Sequence, residues 1–436
     1  MLEGGVSVTG DLTIDQTDDF VLSNRISGTG NVVKAGTGTL TFSGENFYTG
    51  TTTVSAGTLV ISGGVALWDN GQVIIDGGAT FQVNSAENIG SIAGSGSVVL
   101  NASLATNNSA PTMFSGNMSG SGTLIKRGSG TLTLSGTNTN SGGLSVNAGT
   151  VILYGGAAIS DTASLTMAGG TVVLQSSETV GSLSGTSDIN LDANILAVAG
   201  SDTTSYSGII SGSGALVRSG TGTLTLSGNN AYTGSTLVSG GTLSIASDSN
   251  LGSGALTLNG GTLAVTGTTT IDNAIAFGGS SGTVDVATGE VAALSGLISG
   301  AGNLIKTGAG TLVLSRTGNT FSGQLTVSAG TLSVSASGNL GSSTVALDGG
   351  QLDLNGSAGF SNDIALINND NSQVINTGTG VSAELSGVIF GIGSLTKTGA
   401  GTLVLSGTNF YSGTTTISGG TLSISSDSTL AQGRWC

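Results

Sequence analysis

Short segments in which apolar and polar residues alternate recur along the whole chain, as in Leu40 and Phe42, Leu224 and Leu226, Leu243 and Ile245, or Leu263 and Val265. Each alternation lasts three to five residues and is bounded by Gly, Ser or Asn, which reads as a short half-buried strand between turns. No segment sustains a helical period. A strand this short cannot bury its apolar side alone. Stacked coil upon coil, however, strands pair with neighbours above and below and line the interior with Leu, Val and Ile ladders. The Gly-Thr-Leu signal sets the step: it returns at Thr223-Leu224, Thr242-Leu243 and Thr262-Leu263, with Thr283-Val284 next, at spacings of 19, 20 and 21 residues. One coil per echo predicts parallel, three-sided coils of about twenty residues.

A longer period contains these echoes. The segments KAGTGTLTFSGENFYTG from Lys34, KRGSGTLTLSGTNTNSG from Lys126, RSGTGTLTLSGNNAYTG from Arg218, KTGAGTLVLSRTGNTFSG from Lys306 and KTGAGTLVLSGTNFYSG from Lys397 superpose at steps of 92, 92, 88 and 91 residues. The predicted fold is therefore all-β, a right-handed parallel β-helix with about four coils in each repeat of about 90 residues. It would form one solenoid over residues 1–436: a partial repeat at 1–33, full repeats at 34–125, 126–217, 218–305 and 306–396, and a partial repeat at 397–436. Leu40, Leu132, Leu224, Leu312 and Leu403 are expected to be buried at matching places. Gly36, Gly38, Gly128 and Gly130 mark coil corners, where glycine enters positive φ without steric cost. The box around Asn46, Tyr48 and Gly50 reads as another turn, with Asn140 replacing the ring in the second copy. At roughly 4.8 Å per coil, about twenty coils would make a rod of about 100 Å.

The pattern K-x-G-x-G-T-L-x-L-S-G, then N-x-[FY]-[ST]-G, then a further G-T-L about nineteen residues after the first Leu, resembles the passenger-associated strand repeat of bacterial autotransporters across essentially the entire chain. The resemblance implies a β-helical, adhesin-like passenger of a type V secretion system. Such a passenger is displayed at the cell surface through an outer-membrane translocator, or secreted, and often serves virulence. A C-terminal translocator barrel is expected in the full-length protein. The start MLEGGVSVTGDLTIDQ has no leader pattern and the ending AQGRWC falls within a repeat, so leader and barrel are both expected outside these residues.

Composition narrows the classes. Only 8% of the residues are charged, against roughly 25% in an average domain, so Ser, Thr, Asn and Gly must form most of the surface. The net charge of -15 repels phosphate backbones and anionic lipid surfaces; no nucleic-acid partner and no membrane insertion by this segment are expected. The single cysteine, Cys436, excludes an internal disulfide, which suits a chain that crosses a narrow pore unfolded.

Candidate chemistry is sparse. The absence of histidine removes Ser-His-Asp and Cys-His catalysis and H-E-x-x-H zinc sites, and no P-loop is present. Glycine-rich GTGTL stretches read as corners rather than phosphate loops, since no helix follows them. Carboxylate pairs suited to glycosidase work would be Asp18 with Asp19, Asp188 with Asp192, or Asp348 with Asp353. Adjacent Asp18 and Asp19 point to opposite faces of a strand. Asp248 and Asp427 sit in the matching strings ASDSNL and SSDSTL, placed by the repeat rather than by a site. Lys34, Lys126, Arg218, Lys306 and Lys397 share one repeat position and are expected to donate to carbonyls left open at a corner. Tyr48, Tyr232, Phe321 and Tyr411 recur at the turn box and either pack over a corner or stack on sugars. A threonine lattice for ice is broken where Val313 and Val404 replace the second threonine of Thr131 and Thr133.

The expectation is a non-enzymatic surface passenger, with no catalytic, cofactor-binding or metal residues, acting by adhesion or self-association through its flank. Expected partners are host cell surfaces, glycans or other copies of itself. The rivals are a structural stalk presenting a functional domain that lies elsewhere, and a carbohydrate-active β-helix enzyme.

Overall fold

The computed structural model describes residues 5–368 and 373–425. Its regular structure there is strand, apart from two three-residue 3-10 turns at Asp248–Asn250 and Ser337–Asn339. Parallel strands stack coil upon coil, as in a β-solenoid. The chain divides into two compact units, Met1–Gly222 with Gly228–Thr233, and Thr223–Ser227 with Gly234–Cys436.

In the first unit, Leu12–Asp15 pairs with Val32–Ala35, which pairs with Thr52–Val54, then Gln72–Ile75, then Ser91–Gly94. In the second unit the Gly-Thr-Leu echoes lie directly over one another: Thr223 opposite Thr242, Thr242 opposite Thr262, and Thr262 opposite Thr283. Each echo is one coil, as their spacing predicted. The alternation places Leu and Val inward and Thr outward, and Leu40, Leu132, Leu224, Leu312 and Leu403 are all buried.

About four coils per repeat carries a fractional remainder, with consequences for every repeated side chain. The sheet that holds Lys34 in Val32–Ala35 runs on through Ser91–Gly94 to Thr131–Leu134, whereas the Lys126 strand, Leu124–Lys126, lies in a different sheet between Leu104–Thr106 and Leu144–Val146. The second unit repeats this behaviour: Leu304–Thr307 holds Lys306 in one sheet, while Leu395–Thr398 holds Lys397 in the sheet that contains Thr311–Leu314. Equivalent residues of successive repeats therefore move one face round the coil instead of forming a stripe.

The corner glycines have two different reasons. Gly36 has a φ of 62°, the positive value expected of it. Gly128 lies outside that region; a Cβ there would strike the backbone of Asn107 and Asn108 in the preceding coil, so close approach of coils, rather than torsion, requires glycine.

Candidate functional site: buried clamps and corner grooves

The shared cation position is inward-facing and buried in all five copies. Lys34 Nζ donates to the carbonyls of Ala35 (2.5 Å), Gly36 (2.8 Å) and Ala56 (3.1 Å). Lys306 does the same to Thr307 (2.6 Å), Gly308 (2.8 Å) and Ala329 (3.2 Å), and Lys397 to Thr398, Gly399 and Gly419. Lys126 reaches Gly128 and Ala148, and Arg218 reaches Val198, Gly200 and Gly222. Each cation thus ties its own corner to a carbonyl one coil away, the carbonyl-donor role read from the sequence. Burial pulls every one of these pKa values down, that of Lys306 to about 8, with Asp285 opposing the shift there and Asp15 opposing it at Lys34.

The box aromatics also turn inward. Tyr48, Tyr232, Phe321 and Tyr411 are buried, and the Tyr48 and Tyr411 hydroxyls bond Thr52 and Thr415 at 2.5 and 2.6 Å. The packing role therefore holds and sugar stacking on these rings does not. The box asparagine, read as a turn residue, instead brackets three coils. Asn46 Oδ1 accepts from Ile26 N below (2.8 Å) while its Nδ2 donates to Ala66 O above (2.8 Å). Asn138 repeats this between Met118 N and Ala158 O, at 2.8 and 2.7 Å.

The sequence reading missed the residues on the far side of those bracketed segments. Residues 64–68 and 157–159 carry no strand and so offer backbone N–H groups that no ladder satisfies. Glu87, 3% exposed, accepts from Ala66 N (3.2 Å) and Leu67 N (2.9 Å). Glu178, 2% exposed, accepts from Ala158 N (3.3 Å) and Ile159 N (2.8 Å). Burial raises both carboxyls to about 7 against the lowering effect of those N–H donors, and Asp69 and Asp161 push the same way as burial. Their spacing of 91 residues, in the matching strings SAENIG and SSETVG, was the available signal. At the interruptions in the second unit neutral groups accept instead: Asn250 Oδ1 from Ala246 N and Ser247 N and Asn339 Oδ1 from Ser335 N and Ala336 N, each within its own segment, while Thr269 Oγ1, 91 residues after Glu178, accepts from Asp248 N in the preceding coil.

Beside each carboxylate-clamped segment the surface is concave. One groove, of about 410 Å³, is lined by Asn70, Gly90, Asn107, Ser109 and Pro111 among others. Another, of about 510 Å³, is lined by Asp161, Thr162, Gly181, Ser201 and Asp202 among others. Asn70 and Thr162, Gly90 and Gly181, and Ser109 and Ser201 are repeat equivalents, 91 or 92 residues apart.

Five of the six candidate carboxylate residues make local hydrogen bonds. Asp19 accepts from Thr39 N at 2.9 Å, which lowers its pKa. Asp188 accepts from Ile209 N at 2.9 Å, and Asp192 has a φ of 54°, its own N–H donating to Asn190 Oδ1. Asp348 accepts from Asn368 and Asp353 from Gln351. Asp248 accepts from Asp272 N, while Asp427 and Cys436 lie outside the described residues. Outward-facing apolar side chains include Phe390, Ile392 and Phe410, the last 67% exposed; Phe410 N donates to Ile389 O, which sets them on consecutive coils.

The passenger-associated-transport-repeat family matches five stretches, residues 32–61, 124–153, 216–245, 304–334 and 395–424. Each begins on the strand of the buried cation and ends on the second strand after the box. The chain is also similar to the adhesin BmaC autotransporter of Brucella suis biovar 1 (strain 1330), with 37% identity over 449 aligned residues covering 92% of this chain and 13% of that protein. It thus spans about an eighth of that relative's length. No solved structure matches.

Proposed function

We infer that this chain, an autotransporter passenger region placed at the cell surface or secreted, is a non-enzymatic adhesive segment that attaches to host cells or to its own copies through repeated weak contacts on its flanks. The observation that carries the reading is its likeness, over 92% of its length, to a protein named as an adhesin. The chemistry of the repeat supports it. Cations and rings at the repeat positions are turned inward onto carbonyls and hydroxyls, so the outward face is left with Ser, Thr, Asn and scattered carboxylates, plus apolar points such as Phe390 and Phe410. Polar contacts of this kind contribute about 1 kcal/mol each and act by number. A C-terminal translocator in the full-length protein completes the proposal.

The test is display of the chain, fused to a translocator, on a bacterium that neither clumps nor attaches. Attachment to epithelial monolayers or settling of the culture is expected to rise above that of the translocator alone. No gain in either would sink the reading.

A further inference from the structure

We propose that the two corner grooves are equivalent subsites for a neutral glycan, an inference that rests on the adhesive reading and gives it a ligand class. The same concavity arises twice because equivalent residues build it: Asn70 or Thr162 just after the clamped segment, the glycine at 90 or 181, and the corner one coil further on at Ser109 or Ser201. Glu87 and Glu178 hold the clamped segments from the coil above, so each groove has a rim fixed by buried hydrogen bonds rather than by a free loop. Both volumes fall within the roughly 300–1,000 Å³ of ligand clefts.

The lining selects the ligand. Asn70, Asn107 and Ser109 offer paired donors and acceptors in the first groove, with Pro111 as an apolar edge. Asn107 Nδ2 donates to Asp69 O at 3.2 Å, which leaves its Oδ1 as an acceptor. The second groove substitutes Asp161 and Asp202, whose carboxylates can each accept from two neighbouring hydroxyls. Neither lining contains Lys or Arg, which together with the net charge of -15 disfavours sulfated or sialylated chains. A polyol with vicinal hydroxyls and no negative charge fits both. The fractional remainder of the repeat sets the second groove one face round the coil from the first, so the two act as separate sites rather than as one continuous cleft.

The test uses the whole chain with three probes: a neutral hexose trisaccharide, a neutral N-acetylhexosamine trisaccharide and a sulfated disaccharide. Titration followed by saturation-transfer NMR and calorimetry is expected to give saturable binding of at least one neutral probe, with Kd on the order of 1 mM and two sites per chain. Ser109→Trp or Ser201→Trp, each filling one groove from an exposed position, should leave one site, and the double variant none. Ser315→Trp, exposed and remote from both grooves, should leave two. Should a tryptophan variant lose its thermal transition, Ser109→Leu with Ser201→Leu carries the same comparison. Absence of saturable binding by both neutral probes, binding retained in the folded double variant, or preference for the sulfated probe would overturn the assignment. Sugar binding that fails while displayed chain still attaches to cells removes the grooves and leaves the adhesive reading; sugar binding without attachment does the reverse.

Discussion

At the scale of single residues, the chain spends its ionisable groups on holding corners. Glu87 and Glu178 hold protons more tightly when folded, at about 7, than a free carboxyl does at 4.5. Folding therefore takes up protons between these values: the stabilisation is complete below about 4.5 and is lost as pH rises through 7. Each group contributes no more than roughly 3 kcal/mol, less whatever solvent screening reaches it. Thermal midpoints of the chain should fall from pH 5 to pH 8, and Glu87→Gln with Glu178→Gln should flatten that slope. The buried lysines have the opposite sign. Lys306 is pulled from 10.5 to about 8 when folded, so its contribution grows as pH rises from 8 towards 10.5. Lys306→Met should lower stability near neutral pH by about 2–3 kcal/mol, because the Thr307, Gly308 and Ala329 carbonyls lose their donor, and it should remove that rise at high pH. Denaturation at pH 7 and pH 10 checks both effects. The lysine role was legible because a cation fixed at a glycine corner has few partners but carbonyls. The glutamates were not, since nothing in an alternating strand tells a carboxylate facing solvent from one facing an unpaired N–H in the next coil.

At the scale of the element, four residues of alternating Thr and Leu suffice to define a strand, a face and a register. The echoes in sequence became the paired strands Thr223–Leu226, Thr242–Ile245 and Thr262–Val265 without a slip, because a one-residue shift would turn every leucine outward. Leu224→Asp should accordingly break the stack: an unpaired carboxylate in that interior costs upwards of about 3 kcal/mol. Because each coil depends on its neighbours alone, hydrogen exchange should quicken in strands next to Leu224 while those near Leu403 keep their protection. Uniform loss of protection along the chain would show a cooperativity that stacked coils do not have. The fractional coil was harder to read. It lies in the ratio of the two periods: steps of 88 to 92 residues hold between four and five coils of about twenty, and Gly-Thr-Leu echoes, which register strands only, pass over segments such as 64–68 and 157–159 that fill a face without being strands.

At the scale of the whole chain, the repeat distributes like features over different faces and many coils, and the surface is acidic and rich in hydroxyl and amide groups. A net charge of -15 keeps copies apart at low salt, and screening releases their hydrogen-bonding flanks, so lateral contact should strengthen as ionic strength rises. Affinity built from many weak contacts must also climb with the number of coils that take part. The most direct measurement is attachment of purified fragments carrying two, three and five repeats to host-cell monolayers, at low, physiological and high ionic strength. Attachment should increase with repeat number at every ionic strength, and a single exposed substitution such as Ser109→Trp should lower it without abolishing it. Attachment that is independent of repeat number, or that vanishes with one such substitution, would contradict the distributed account and place the activity in one discrete pocket.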